Sequence, residues 1–502
     1  MSRTAKFLKN SASTALMQAV TMFVGFFIPR IMMGVYGSEI NGLISSISQF
    51  IAYFNLVETG IAGAAVWALY KPLAEHNNKV INSIIVATKN FYTKAGYVFV
   101  TLTLGLAFLY PAFIKVETLD YVEVICLVII LGVAGALEFF TLAKYRALLT
   151  ADQKTYVISI ASTIAIILNA VIIAVLSYQN INVVIVRAVA LLSVFARSIL
   201  LWFYCKKKYT YICYEVEPDY SKLHKHWDAM FLQILGVVQS GGPIVLATIF
   251  TDLKMVSVYT VFNLVIGGIN SILSIFISGL SSSFGDVIAR NEVSTLKRAY
   301  NEFEISYYML ITVVYSISFI MIMPFIHIYT RNITDVNYDL PILGFLMVLN
   351  GLLYNIKTPQ GMLVISAGWY KETRKQTILQ ATILLVCGGL GAHYCGLYGI
   401  VIGAIISNLY RDVDLAVFIP KRLIKINPLK TFVRIGFIFL LAFIICFPFY
   451  YLQIPAGNII SWCMYAFGVS IYAITVVIIF MIIVERGILN NILNRVCKLR
   501  NM

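Results

Sequence analysis

Apolar runs of about twenty residues recur along the whole chain, and this feature restricts the fold more than any other. The hydrocarbon core of a bilayer is ~30 Å thick, and an α-helix of about 20 apolar residues crosses it. Lipid-embedded backbone satisfies its hydrogen bonds only in helices and closed barrels. We count fourteen such runs, at residues 10–33, 41–66, 92–114, 120–143, 156–178, 181–204, 229–251, 255–283, 305–328, 340–364, 377–395, 397–419, 432–452 and 459–484. They predict an all-α integral membrane protein with about fourteen transmembrane helices.

The composition excludes the main soluble classes. Hydrophobic residues make up 60% of the 502 residues and charged residues 12%, against roughly 45–50% and about 25% in soluble domains. These values exclude a soluble enzyme, a disordered chain and a disulfide-stapled secreted domain. The net charge of +15 would indicate nucleic-acid binding in a soluble protein. In a membrane protein it can instead reflect basic residues in cytoplasmic loops, and the positions of the Lys and Arg residues distinguish these two interpretations.

The basic residues are distributed asymmetrically between the two sides of the membrane. Thirty of the 38 Lys and Arg residues lie in the segments on the side of the N-terminus, and only Lys115, Lys254 and Arg331 lie on the other side. Cytoplasmic loops carry this excess of cations. The pattern and the even number of helices predict that both termini are cytoplasmic. Because the basic residues are explained by this topology, the expected partner of the protein is the lipid bilayer, and nucleic-acid binding is excluded.

Matching residues recur at a nearly constant spacing and predict an internal duplication. The pairs are Ala151 and Ala367, Pro29 and Pro243, and Arg197 and Arg411, which are 214–216 residues apart. Because each copy has six helices, the copies have the same orientation. A pseudo-twofold axis along the membrane normal then relates two six-helix bundles around a central cavity, as in transporters that rock one bundle against the other.

The duplication predicts the domain organisation. Residues 1–205 form the N-terminal bundle (helices 1–6), 206–226 a cytoplasmic linker, 227–420 the C-terminal bundle (helices 7–12), and 421–502 helices 13–14 with a basic cytoplasmic tail. The last two helices lie outside the repeat.

Five basic residues belong neither to the thirty on the side of the N-terminus nor to the three on the other side, and are candidates for substrate binding within the helices: Arg30, Arg187, Lys357, Arg197 and Arg411. A charge at membrane depth costs a few kcal/mol, so it faces a cavity or a partner. The alternatives to a role in the cavity are snorkelling near helix ends and ion pairing between helices. These alternatives are strongest for Arg30, Arg197 and Arg411. Cations exceed acids at this depth, which favours a substrate that carries phosphate or carboxylate.

Acidic residues and helix breakers complete the candidate set. Glu58, Glu138 and Asp414 could couple protons to transport or form ion pairs with arginines. Pro29 and the segment Gly241-Gly242-Pro243 are candidate hinges, since a broken helix absorbs a backbone change. Close packing of small residues is the alternative, and it is the better interpretation of Gly388-Gly389-x-Gly391. No metal or cofactor is predicted.

Three segments resemble a known family. They are Ile28-Pro29-Arg30-Ile31-Met32-Met33-Gly34-Val35-Tyr36-Gly37, Glu58-Thr59-Gly60-Ile61-Ala62-Gly63-Ala64 and Leu148-Leu149-Thr150-Ala151-Asp152-Gln153-Lys154-Thr155-Tyr156. The first two are similar to the opening of Wzx-type polysaccharide flippases, and the third is similar to that family's loop between helices four and five. The family belongs to the superfamily of the MATE exporters and the lipid II flippase.

The resemblance implies a transporter of the bacterial inner (cytoplasmic) membrane. It would move undecaprenyl-pyrophosphate-linked oligosaccharide, such as O-antigen or capsule repeat units, from the cytoplasmic to the outer leaflet. A polysaccharide polymerase and chain-length machinery would be partners, and Arg30 would contact the pyrophosphate or the glycan. Many Wzx-type members are described with twelve helices. Fourteen is the number in the lipid II flippase, where the final pair forms a groove for the lipid tail.

Two other functions fit a chain of this kind. A MATE-like, cation-coupled exporter of small molecules would share the architecture, but its cavity would be dominated by acidic residues. A membrane glycan polymerase or ligase would need a large extracytoplasmic loop with catalytic side chains. The longest outer loop, at about residues 329–339, is too short for that, and a non-enzymatic transporter is therefore expected.

Overall fold

The computed structural model describes residues 3–58, 61–222, 227–452 and 457–487. Fifteen α-helices form this part of the chain, and it contains no strand. They are α1 (Arg3–Phe54), α2 (Ile61–Ala74), α3 (Asn78–Phe113), α4 (Tyr121–Leu137), α5 (Ala143–Ala151), α6 (Thr155–Tyr178), α7 (Val183–Lys208), α8 (Trp227–Phe250), α9 (Leu253–Ala289), α10 (Val293–Tyr329), α11 (Pro341–Ile356), α12 (Thr358–Ser366), α13 (Tyr370–Ile419), α14 (Leu429–Cys446) and α15 (Ile459–Val484).

Two of these helices are too long to be single membrane crossings. Helices α1 and α13 have 52 and 50 residues, which at 1.5 Å per residue is ~75 Å or more. Each contains one glycine with non-helical backbone angles, Gly37 (φ 85°) in α1 and Gly396 (φ 57°) in α13. Twelve segments of the described chain are long and apolar enough to cross a membrane. Because the two glycines divide two of them, the prediction of fourteen crossings is confirmed.

Two predicted boundaries are wrong in detail. The second predicted crossing, 41–66, is interrupted, because α1 ends at Phe54 and a short 3₁₀ turn, Asn55–Glu58, precedes α2. The fourth predicted crossing does not end at residue 143. A π-helical turn at Glu138–Leu142 leads directly into α5, so Arg146 lies within a helix and not in a loop.

The helices form two compact units, residues 1–260 and residues 261–502, which we call the N-terminal and C-terminal units. In the N-terminal unit, α1 packs on α6, α6 on α7, and α3 on α4; in the C-terminal unit, α10 packs on α11, α14 and α15. The division falls inside α9. Residues 206–222 of the predicted linker lie in the N-terminal unit, and its residues 223–226 lie outside the described residues. The assignment of six helices to each repeat stays a prediction.

Residues with left-handed backbone conformation recur at the spacing of the predicted duplication. The pairs are His76 and Asn291, Gln153 and Gly368, and Asn180 and Gly396, with φ between 52° and 68° and separations of 215, 215 and 216 residues. Each residue lies at a chain reversal or kink in the helical structure. A non-glycine residue rarely adopts this conformation, so three matched pairs support an internal repeat independently of the residue types.

The last two helices are attached to α10 by buried polar contacts. Arg434 of α14 is 1% exposed and donates to Glu304 of α10, which is fully buried, at 2.6 Å. Glu304 also accepts hydrogen bonds from Tyr300, Gln360 and Thr431 at 2.6–3.0 Å. The indole of Trp462 in α15 donates to the Met321 carbonyl. Arg434, one of the thirty basic residues assigned to the side of the N-terminus, thus lies within a helix and not in a loop, and its charge is compensated inside the unit.

Candidate functional site

The π-helical turn between α4 and α5 positions the first part of the site. It places Glu138 at its beginning and leads into α5, which carries Arg146 eight residues later. Positions eight apart lie near one another on the same helical face. Single-turn π-helices occur frequently at functional sites, and here the turn begins at one member of a charged pair, Glu138, and ends four residues before the other, Arg146.

Four charged side chains of the N-terminal unit form a continuous ion-pair network. Arg146 Nη2 lies 2.9 Å from Glu58 Oε1, and its Nη1 lies 3.4 Å from Glu138 Oε2. Arg197 of α7 donates to the other oxygen of Glu138. The exposed fractions of these side chains lie between 19% and 39%. The network, Glu58–Arg146–Glu138–Arg197, is neutral overall, which makes four charges tolerable within membrane-spanning helices.

A pocket of about 500 Å³ opens beside Arg146. It is lined by Ala62, Gly63, Val66, Trp67, Tyr70, Tyr92, Arg146, Ala147 and Thr150. Trp67 and Tyr70 are 68% and 49% exposed and offer aromatic faces. A guanidinium group has five N–H donors, so Arg146 retains donors after its two carboxylate contacts. An arginine beside exposed aromatic rings can bind phosphate oxygens and the apolar faces of sugars.

Two predicted basic residues of the N-terminal unit lie outside the network. Arg187 is half-buried on α7, and its Nε is buried without a hydrogen-bond partner among the described residues. Arg30 is exposed on α1. Of the predicted residues in this unit, the structure thus brings Glu58, Glu138 and Arg197 together and leaves Arg30 and Arg187 apart from them.

In the C-terminal unit Lys357 is part of a polar group. Its Nζ donates to Asn408 Oδ1 at 2.6 Å and lies 4.7 Å from the centre of the Tyr354 ring. Asn408 in turn donates to Asn350 Oδ1 at 2.9 Å. Asp412 is 6% exposed, and neither of its carboxylate oxygens accepts a hydrogen bond from the described residues. The side-chain amide of Asn408 therefore holds the Lys357 ammonium group in place. The buried Asp412 lies on the same helix as Asn408, α13.

Arg411 and Asp414 form an ion pair on α13. Arg411 Nη1 lies 2.5 Å from Asp414 Oδ2, and its Nη2 donates to Thr377 Oγ1 at 3.1 Å. Arg411 is buried. Both residues thus have local partners, and substrate binding by Arg411 and proton coupling by Asp414 stay predictions.

The candidate hinge residues lie within continuous helices. Pro29 is inside α1, and Gly241, Gly242 and Pro243 are inside α8. A Cβ atom at Gly241 would lie 2.0 Å from Gln49 Nε2, so in this structure the glycine allows α8 to approach α1 closely. A hinge at these residues stays a prediction.

Arg146, Trp67 and Tyr70 are the site residues that sequence reasoning missed. Hydropathy placed Arg146 in a loop, because the apolar run ends at residue 143. The spacing of eight between Glu138 and Arg146 was the available signal. Among the described residues no group of three or more His, Cys, Asp or Glu side chains could hold a metal ion.

Solved structures resemble this chain, although no sequence-family model and no curated protein matches it. The lipid II flippase MurJ in an inward closed conformation matches with a TM-score of 0.70 and 13% identity, over 96% of this chain and 99% of MurJ. An inward-facing multidrug resistance MATE family transporter of the MOP superfamily matches with a TM-score of 0.67 and 16% identity, over 84% of this chain and 96% of its own. A point mutant of the Vibrio cholerae MATE transporter VcmN matches with a TM-score of 0.53 and 15% identity, over 85% of this chain and 98% of its own.

The chain has the fold of these transporters. At 13–16% identity the likeness extends to the fold alone. It confirms the expected fold of an all-helical, multi-pass membrane protein. The MurJ match extends over a larger share of this chain than the two MATE matches do.

Proposed function

We propose that this protein flips undecaprenyl-pyrophosphate-linked oligosaccharide repeat units from the cytoplasmic to the outer leaflet of the bacterial inner membrane. Both termini are cytoplasmic in this proposal, and the O-antigen or capsule polymerase and its chain-length machinery act on the flipped product. Transport proceeds by alternating access, in which the head group crosses inside the protein while the polyprenyl tail stays in lipid.

An apolar groove in the C-terminal unit carries the proposal. It has a volume of about 490 Å³ and is bordered by α10, α11, α14 and the turn after α14. Its lining residues are Phe319, Ile320, Pro324, Phe345, Leu349, Leu352, Phe439, Ala442, Phe443, Cys446, Phe449, Tyr450 and Leu452. Such an apolar surface accommodates a lipid tail, whereas an exporter of small soluble cations would not need an apolar groove. The neighbour that matches 96% of this chain is a lipid II flippase, which supports a lipid-linked substrate.

The Arg146 pocket provides the polar counterpart in the N-terminal unit. Arg146 would bind the pyrophosphate through its remaining donors, and Trp67 and Tyr70 would stack on sugar rings. An arginine already aligned by Glu58 and Glu138 loses little side-chain entropy on binding, because its rotamer is fixed beforehand. Arg30, Arg187 and Lys357 remain candidates for further contacts.

The membrane potential assists export in this mechanism. Moving negative charge outward across an inside-negative membrane gains ~2.3 kcal/mol per charge per 100 mV. Protons could couple in addition through Glu58, Glu138 or Asp414, each of which pairs with an arginine here. Protonation of such a carboxylate would release its arginine to bind an anionic substrate.

The test is the leaflet on which lipid-linked oligosaccharide accumulates in a strain that lacks this protein. An impermeant sugar-modifying enzyme, applied to right-side-out and inverted vesicles, reports the leaflet. We expect accumulation on the cytoplasmic leaflet that wild type reverses and that Arg146→Ala and the groove-filling Leu349→Trp reverse poorly. Arg290→Ala, which removes an exposed pair within one helix, is the matched control and should behave as wild type.

Two results would contradict the proposal. Accumulation of single units on the outer leaflet would mean that polymerisation or ligation was lost instead. Normal oligosaccharide distribution together with loss of cationic-dye efflux would assign the protein to the MATE-like exporters.

A further inference from the structure

A second groove lies on the surface of the N-terminal unit, between α6 and α7. It has a volume of about 740 Å³ and is lined by Tyr156, Val157, Ile160, Ala161, Ile164, Leu200, Phe203, Tyr204, Lys207 and Lys208. The helices are antiparallel, so the first turn of α6 and the last turn of α7 are at the same end. The groove is therefore amphipathic, with tyrosines and lysines at that end and aliphatic side chains along the rest.

The apolar part of the groove faces outward. Ile160, Ile164, Leu200 and Phe203 are between 41% and 62% exposed, although they belong to membrane-spanning helices. Large apolar side chains exposed on such helices contact lipid. Near the polar end, the Lys206 ammonium lies 4.9 Å from the centre of the exposed Trp202 ring. Tryptophan and lysine at a helix end mark the depth of the lipid head groups, so the polar end of the groove lies there.

The charges at this end are positive and uncompensated. Neither Lys207 nor Lys208 forms an ion pair with any described residue, and both are exposed. The nearby Asp152 is already occupied, because Lys154 lies 2.5 Å from its Oδ2 and the Tyr209 hydroxyl donates to the same oxygen at 2.7 Å. Burial raises the pKa of Tyr209, so this hydroxyl remains a neutral donor and adds no negative charge.

Further donors complete the polar end. The Tyr156 and Tyr204 hydroxyls are 3.1 Å apart, and a pair of hydroxyls has one proton left to donate outward. Lys9 of α1 lies 3.9 Å from the centre of the Tyr156 ring and adds a third ammonium group. Basic pockets between transmembrane helices on the cytoplasmic side bind the head groups of anionic lipids.

We propose that this groove is a binding site for an anionic diacyl phospholipid of the surrounding membrane. Its acyl chains lie along Ile160, Ile164 and Leu200, and its phosphate contacts the ammonium groups of Lys207 and Lys208. Charge complementarity selects the anionic lipid over a zwitterionic one, and the lipid-facing aliphatic wall selects a lipid over free phosphate. The site is independent of the transport substrate and would exist in either transporter class.

Native mass spectrometry of the purified full-length protein tests the site. Delipidated protein is titrated with phosphatidylglycerol or with phosphatidylcholine of the same acyl chains. We expect wild type to retain phosphatidylglycerol preferentially, and Lys207→Gln/Lys208→Gln to bind it about 30-fold more weakly, from the attraction typical of two lysines at a membrane surface. The control Lys421→Gln/Lys430→Gln removes the same charge from exposed positions of the C-terminal unit and should bind as wild type.

A second variant separates this site from general charge attraction. Ile164→Trp fills the apolar part with all lysines intact and should also reduce phosphatidylglycerol binding, and inorganic phosphate should not compete. Equal losses in both lysine double variants, or full binding by Ile164→Trp, would overturn the proposal. So would equal retention of the two lipids by wild type. If Ile164→Trp does not elute as a folded, monodisperse protein, Ile160→Trp replaces it. Full phosphatidylglycerol binding by Ile160→Trp would likewise overturn the proposal.

Discussion

Glu304 illustrates how single charged residues are accommodated inside this protein. Its carboxylate is fully buried and accepts hydrogen bonds from three neutral side chains and from Arg434. A buried ion pair contributes little net stability when intact, but loss of one partner leaves an uncompensated charge in a medium of low dielectric constant. The residues of the Glu58–Arg146–Glu138–Arg197 network are partly exposed, so the same loss costs less there.

Arg434→Ala is expected to lower the free energy of unfolding by about 3–5 kcal/mol, since Glu304 would remain buried and charged. Thermal unfolding of the detergent-purified protein measures the effect. Arg434→Met combined with Glu304→Gln should recover most of the loss. Arg290→Ala, which removes an arginine from a pair within one helix whose two side chains are 66% and 60% exposed, should change stability by less than about 1 kcal/mol. Equal melting temperatures for Arg434→Ala and Arg290→Ala would contradict the expectation.

Glu138 and Glu58 should differ in their importance, because Glu138 contacts two arginines and Glu58 only Arg146. We expect Glu138→Gln to lower both the melting temperature and the transport rate more than Glu58→Gln. The reason is that Glu138→Gln leaves Arg197 without a counter charge and Arg146 with Glu58 alone, whereas Glu58→Gln leaves both arginines in contact with Glu138. The reverse order would show that Glu58 is the principal partner of the network.

At the level of helices, the close approach of the two halves of α13 depends on glycine. A Cβ atom at Gly399 would lie 1.9 Å from the Gly391 carbonyl oxygen, and one at Gly403 would lie 2.3 Å from the Gly388 amide nitrogen. Backbones approach this closely only where side chains are absent. The Gly388-Gly389-x-Gly391 segment therefore has the packing role that its sequence context predicts.

Gly399→Ala should separate these two helical segments and destabilise the protein by about 1–3 kcal/mol, the usual cost of overpacking. Gly436→Ala on α14 is the matched control, since a Cβ atom there meets nothing within 4 Å. It should be neutral or slightly stabilising, because alanine has the higher helix propensity. Melting temperatures of the two variants in the same detergent decide between these outcomes.

Hydropathy located the helices well, because a bilayer requires ~20 apolar residues for each crossing whatever the tertiary contacts are. It could not locate the break before α2 or the π-helical turn at Glu138–Leu142, which depend on local backbone geometry within apolar sequence. It also could not pair Arg146 with Glu58, which is 88 residues away. For the same reason it could not pair Arg434 with Glu304, which comes 130 residues earlier.

At the level of the whole molecule, the distribution of Lys and Arg predicts how the chain is inserted. Alkaline phosphatase inserted after Asp335 should be active, because the enzyme folds only outside the cytoplasm. Green fluorescent protein inserted after Glu215, or fused to the C-terminus, should fluoresce, because it folds in the cytoplasm. Activity of the phosphatase at Glu215 or at the C-terminus would show that the thirty-to-three asymmetry of basic residues does not set the orientation.

The buried pair between Arg434 and Glu304 bears on whether the chain could lose its last two helices. Lys425, with φ 58°, lies between the end of α13 and α14, where the final pair of helices follows the part that is predicted to be duplicated. A chain that ended there would leave Glu304 within α10 without its only charged partner among the described residues. Loss of the last two helices would therefore leave an uncompensated buried charge in α10 unless position 304 also changed.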